Sequence, residues 1–128
     1  MAIRIVRLGS PRVMNEGVRI GTVRRPPRGV PKQDFAKRDF YDVWLPNLAP
    51  SEGLLKRAQH ADDTRSWLGF ARRYRAEMRR PDPSRVLDLL AALSHSSDFS
   101  IGCYCQEEER CHRSVLRELL AERNASIA

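Results

Sequence analysis

Residues Phe99 to Leu120 read FSIGCYCQEEERCHRSVLRELL, and the change of pattern inside this stretch decides the fold. Phe99 to Cys105 has the composition of a strand, whose alternation places Ile101, Cys103 and Cys105 on one face. Gln106 to Glu109 break that strand. Val115, Leu116, Leu119 and Leu120 then recur at helical spacing, so a final helix follows with one buried stripe. A strand that runs through a short polar loop into a helix is the building unit of an α/β layer fold.

Upstream, Ile3 to Leu8 alternates as a half-buried strand and stops at Gly9-Ser10-Pro11. Val18 to Val23 reads as a second short strand after a polar turn at Asn15-Glu16-Gly17. It ends in RRPPRGVP, where Pro26, Pro27 and Pro31 forbid a regular ladder and Gly29 permits a sharp bend. This arginine-rich loop follows a strand end, the edge at which open α/β sheets bind ligands. Ser51 is placed to cap a helix carrying Leu54, Leu55 and Ala58. Trp67, Phe70, Ala71, Tyr74 and Met78 form one helical stripe, with arginines at 65, 72, 73, 75, 79 and 80 on other faces. Asp82 and Pro83 are read as the cap and first turn of a further helix that turns Val86, Leu87, Leu90 and Leu93 inward and frays at His95-Ser96-Ser97. The expected fold is a single small Rossmann-like layered domain over residues 1–128, with a mostly parallel sheet and flanking helices.

Lys and Arg number 23 against 16 Asp and Glu, for a net charge of +7. Such a chain favours polyanions such as nucleic acid or phosphorylated ligands as partners, and arginine's planar fork suits bidentate phosphate contacts. The start MAIRIVRLGS has no apolar core of a signal peptide, and no run approaches the ~20 apolar residues of a membrane helix. A cytoplasmic protein is expected, with no membrane partner. Three cysteines, an odd number, argue for reduced thiols and against a disulfide framework.

All three cysteines and His112 fall within ten positions, Cys103 to His112. Zinc would accept Cys103, Cys105, Cys111 and His112 by ligand type. The spacing C-x-C followed by an adjacent Cys-His is not that of familiar structural zinc sites, and consecutive Cys111 and His112 diverge by about 100° on a regular helix. No metal and no cofactor is therefore assigned. An anion-cradling phosphatase loop is also the wrong length: Cys105 to Arg110 is one residue short and Cys103 to Arg110 one too long. Cys111, at a helix start beside Arg110, His112 and Arg113, is the best reactive-thiol candidate, because such surroundings lower a thiol pKa. Cys103 and Cys105 can equally be small hydrophobes that fill a core.

The chain resembles the family called domain of unknown function 488, and its small YeaO-like members in particular. The resemblance rests on Cys103 with Cys111-His112-Arg113-Ser114, on RIGTVRRPPRGV (Arg19 to Val30) with Arg24 and Pro27-Arg28-Gly29, and on Trp44, Ala49-Pro50-Ser51, Phe70, Tyr74 and Glu77. It implies a compact α/β Rossmann-like domain without an established biochemical role. Two positions depart from the family: Cys105 stands where a carboxylate is frequent, and Val23 where an aspartate is frequent. Both losses remove the groups on which a carboxylate-based acid/base mechanism would rest.

The leading functional expectation is an anion pocket at the strand ends built from Arg24, Arg28, Arg113 and Ser114, with Cys111, His112 and Cys103 as catalytic candidates. Cys111 would be the nucleophile or redox thiol and His112 the proton carrier. The ligand would be a nucleotide, another phosphate ligand or nucleic acid. The rivals are a non-enzymatic nucleic-acid binder using the arginine face of Leu68 to Arg80, and a zinc-stabilised adaptor. Tyr74 is expected in the core with its hydroxyl bonded, and Glu77 in a surface pair with Arg73.

Overall fold

The computed structural model describes residues 1–58 and 63–128. Four strands, β1 (Ile3–Arg7), β2 (Val18–Gly21), β3 (Val43–Trp44) and β4 (Phe99–Cys103), lie side by side in the order β1-β4-β2-β3, and every pairing is parallel. Three helices, α1 (Glu52–Ala58), α2 (Thr64–Met78) and α3 (Pro81–Leu93), separate β3 from β4, and α4 (His112–Glu122) follows β4. The central strand is therefore the last in sequence. All five of its residues are buried, which is why FSIGC reads as a near-continuous apolar run with only small polar exceptions.

Ile3, Phe99 and Ile101 join Phe70, Tyr74 and Met78 of α2, Leu87, Leu90 and Ala91 of α3, and Val115, Leu116, Leu119 and Leu120 of α4 in the main core. The stripes expected for α2 and α4 are thus the buried ones, and each large side chain removed from water contributes about 1.5–3 kcal/mol. Ser51 caps α1 as expected, its hydroxyl accepting from Leu54 N–H at 3.3 Å. The start of α3 lies earlier than expected: Pro81 occupies its first turn and Arg80 the cap position. Proline at the first helical position loses no hydrogen bond and has its φ preset, so either proline of Pro81-Asp82-Pro83 suits that role, and the earlier one takes it. Leu93, at the end of α3, is 40% exposed, and Ala91 takes the buried place instead. Strands β1, β2 and β4 are shorter than expected, ending at Arg7, Gly21 and Cys103. β3 was not expected, because two residues carry no periodicity.

The other sheet face is closed by loops, with Leu8 and Tyr41 packed over Gly102 and Gly21 beside a buried ion pair. Arg19, fully buried, donates from Nε and Nη2 to Glu16 at 2.8 and 2.9 Å, and from Nη1 to the Ser10 and Asp39 carbonyls. Ser100, its register partner on β4, donates to the same Glu16 carboxylate at 2.8 Å. The turn that brings Glu16 inward depends on Gly17, which has φ +79° and packs so tightly that a Cβ there would lie 1.9 Å from the Asp98 carbonyl oxygen.

Gly69 is different. It sits inside α2, and an added Cβ would meet only Arg73 Nη1 at an ordinary 3.8 Å. Gly69→Ala should therefore stabilise the fold by about 0.8–1 kcal/mol, the cost of glycine in a helix interior. A urea melt showing equal or lower stability would mean that the helix tolerates no side chain here.

Candidate functional site

The carboxyl ends of β4 and β2 meet the amino end of α4, and the cysteine cluster sits at that junction. Cys103 is the last residue of β4 and Cys111 the N-cap of α4. Both are 2% exposed and their sulfurs are in contact at 2.7 Å. Cys111 has an extended backbone (φ −124°, ψ 151°), so the divergence of consecutive helical residues does not apply to it and His112. Cys111 Sγ consequently lies 3.8 Å from His112 Nδ1.

His112 is buried and fixed in orientation. Its Nε2 is 2.8 Å from the Thr22 carbonyl oxygen, which can only accept, so Nε2 carries the hydrogen and Nδ1 presents its lone pair toward Cys111. The Thr22 hydroxyl donates to the Gly102 carbonyl at 3.0 Å and lies 3.4 Å from the same Nε2. Tyr74 stands edge-on to the imidazole, with ring centroids 5.6 Å apart, and its hydroxyl donates to the Leu48 carbonyl. Tyr74 is thus a core residue with its hydroxyl bonded, as expected, and it also walls the histidine.

Cys105 lies beyond the end of β4, in the loop, and is exposed. Hydrogen bonds from Cys103, and next from Cys111, draw its thiol well below the ordinary thiol value against the cost of desolvation, and the Arg113 charge adds to this. The same sharing pushes Cys103 up, its proton being held by Cys105 and Cys111 in a desolvated place. The cluster accordingly carries its negative charge at its solvent-facing member. Arg113 is 4% exposed, donates from Nη2 to the Cys105 carbonyl at 2.7 Å, and has an Nε without a hydrogen-bond acceptor among the described residues. Burial opposes its charge, and the surrounding sulfurs more than restore it.

The structure brings Cys103, Cys111, His112 and Arg113 together, and it adds Cys105. It treats the remaining candidates differently. The Ser114 hydroxyl turns back onto the Cys111 carbonyl at 2.8 Å. Arg24 is held by the carbonyls of Pro50 (3.2 Å) and Ala49 (3.1 Å). Arg28 is exposed and lines, with Arg25, Pro26, Pro27, Phe40 and Tyr104, a cleft of about 410 Å³. Tyr104, between buried Cys103 and exposed Cys105, donates to the Arg25 carbonyl at 2.9 Å, so the proline-rich loop and the cysteine segment are neighbours. Glu77 does not pair with Arg73. It accepts from Ser51 N–H at 2.9 Å and from the Ser51 hydroxyl at 2.6 Å, because the start of α1 presents two donors to it.

Thr22 escaped the sequence reading, since a threonine at a strand end has no signature. Its proximity to the arginine loop in RIGTVRRPPRGV was the one available hint. Cys103 Sγ, Cys111 Sγ and one His112 ring nitrogen lie within 4.8 Å of one another, so the cluster has the softness and the compactness that zinc accepts. Away from the cluster, Arg57, Arg65, Arg72 and Arg73 line a broader cleft with Leu54, Leu68 and Phe70 between α1 and α2. No helix is long and apolar enough to cross a membrane among the described residues.

Comparison with curated proteins and with solved structures yields no match. A family described as the active DUF488-N3 subclade matches residues 3–124. Nearly the whole chain is covered, including every strand, every helix and the cysteine junction, and the chain belongs to this family of domain of unknown function 488.

Proposed function

We propose that the protein is a cysteine-dependent enzyme that acts on a small anionic, phosphate-bearing ligand at the β4–α4 junction. The observation that carries this reading is the grouping of two touching thiols, a buried arginine bonded to the Cys105 carbonyl and an oriented imidazole at the carboxyl edge of a wholly parallel sheet. Cys105 is the nucleophile, being the exposed member and the one on which thiolate charge rests. Cys103 and Cys111 hold that thiolate by hydrogen bonds, and His112 accepts or returns a proton at Nδ1 through Cys111. Arg113 opposes the charge that develops at the sulfur, and Arg28, at the mouth of the neighbouring cleft, meets the ligand's anion. The description of the family as active agrees with a working site.

A second reading is favoured by the same compactness: zinc held by Cys103, Cys111 and His112, with the Nε2–Thr22 bond orienting the imidazole as outer contacts do in metal sites. One sample separates the two readings. Purified, reduced, untagged protein should contain less than a tenth of an equivalent of metal, and one thiol, mapped to Cys105, should react with iodoacetamide much faster than the others. Near-stoichiometric zinc with all three thiols protected would overturn the enzyme reading.

A further inference from the structure

We infer that the exposed face of α2, with the end of α1, binds single-stranded nucleic acid, whose phosphates follow a lane of arginines and whose bases enter two apolar recesses beside it. The inference goes beyond the reading above and does not depend on the chemistry of the cysteines.

Arg65, Arg72 and Arg79 stand seven residues apart, a spacing that drifts only about 20° per step around a helix, so they lie nearly in line. Arg79 is the C-cap residue of α2, and at 1.5 Å per residue the three span about 21 Å. Arg73, next to Arg72, reaches back over Gly69, its Nη1 3.8 Å from where a Cβ there would stand. Arg57, near the end of α1, completes the set. All five are exposed, and no side-chain hydrogen bond or ion pair engages them among the described residues. Other arginines of the helices differ: Arg75 is taken by Glu118 and Glu122, Arg117 by Glu108 and Arg123 by Asp88. The Glu77 carboxylate is likewise occupied, by the Ser51 N–H and hydroxyl. The lane thus keeps its positive charge for a partner outside the fold. A ligand with one phosphate cannot span it, whereas a chain of phosphates can meet one guanidinium fork after another.

Two recesses flank the lane and share Leu68 and Arg72 in their walls. One, of about 800 Å³ between α1 and α2, includes Leu54 and Phe70 in its lining. The other, of about 470 Å³ between α2 and α4, includes Trp67, Ala71 and Val115, together with Glu109 and the Glu118 that pairs with Arg75. Both have the size of small-molecule sites. An unstacked base has apolar faces and fits such a recess while its phosphate stays on the arginines. A duplex keeps its bases stacked inside and cannot use them. Leu68, at 61% exposure, is the large apolar side chain that this face leaves open, too little to hold the helix in a lipid surface.

The test titrates reduced full-length protein into short fluorescein-labelled, pyrimidine-rich single strands of DNA and of RNA, and follows anisotropy at rising salt. About four phosphate contacts should make affinity fall about 50-fold between about 50 and about 200 mM salt. Binding of either strand supports the proposal, and the tighter one names the sugar. Arg65→Gln, Arg72→Gln and Arg73→Gln together should weaken binding at least about tenfold at the lower salt and reduce the slope of log Kd against log salt by about 2. The urea melt should not move, since all three side chains are exposed. A charge-matched variant at exposed positions elsewhere, Lys32→Gln with Lys37→Gln and Arg85→Gln, should bind like wild type. Equal weakening by this control would overturn the lane in favour of net charge alone. A duplex of the same sequence bound as tightly as the single strand would overturn the role of the recesses. Capture by phosphatidylcholine–phosphatidylserine vesicles with neither strand bound would overturn the proposal altogether. Should the triple variant fail to fold, Arg65→Gln with Arg72→Gln reads the same change of slope in smaller amount.

Discussion

Replacing Glu16 by glutamine is expected to cost the fold about 3–5 kcal/mol, a large part of the stability of a domain this size, because it leaves the Arg19 guanidinium buried without its counter-charge. Arg19 is fully buried and Glu16 3% exposed, and their two hydrogen bonds at 2.8 and 2.9 Å are the only carboxylate contacts that guanidinium has among the described residues. Burial alone would raise the Glu16 pKa; hydrogen bonds from Arg19, Ser100 and the Val13 N–H, with the Arg19 charge, bring it from 4.5 to about 2. A folded-state pKa below the unfolded one stabilises above the unfolded value, and that stability is lost as pH falls from about 4.5 through about 2. The drop corresponds to about 3 kcal/mol. Urea melts of the wild type at neutral pH and at about pH 3 should show part of this loss, and Glu16→Gln should be weaker at neutral pH and flatter across the same range. The companion change Glu16→Leu with Arg19→Met should recover much of the stability by removing both charges together. A Glu16→Gln protein within about 1 kcal/mol of wild type would show that the ion pair is not what holds this face.

The second large effect concerns Cys105. An ordinary thiol with pKa near 8.5 loses roughly 10³-fold in thiolate between pH 8 and pH 5, and its alkylation rate falls with it. The Cys105 thiolate is held below that range by Cys103, Cys111 and Arg113, so its rate with iodoacetamide in native protein should stay nearly constant over the same interval. Its absolute rate at pH 8 need not be high, because intrinsic nucleophilicity falls with thiol pKa. The shape of the profile is therefore the diagnostic. Cys103→Ala or Cys111→Ala should move the fall in rate to higher pH by removing a donor. A tenfold decrease per pH unit in the wild type would show that no thiolate is held there.

Periodicity was sufficient for the helices because their stripes are long. Phe70, Tyr74 and Met78, and Val115, Leu116, Leu119 and Leu120, are buried as their spacing required. It failed at β3, where two residues gain their place only by pairing with Ile20 and Gly21. It also misplaced the start of α3, where two prolines offered the same cap chemistry.

By itself the sequence determined the α/β class, the strand–loop–helix unit at residues 99–120 and the crowding of thiols, imidazole and guanidinium beside it, because these follow from period, composition and proximity along the chain. Tertiary structure alone decided which atoms face one another. The strand order placed β2 beside β4, so that the Thr22 carbonyl could set the tautomer of His112. The extended N-cap turned Cys111 onto Cys103 and left Cys105 outside. The neighbouring carbonyls of Ala49 and Pro50 took Arg24, while Arg28 stayed exposed at a cleft. Distances between residues far apart in the chain arise from packing, and packing has no period to read.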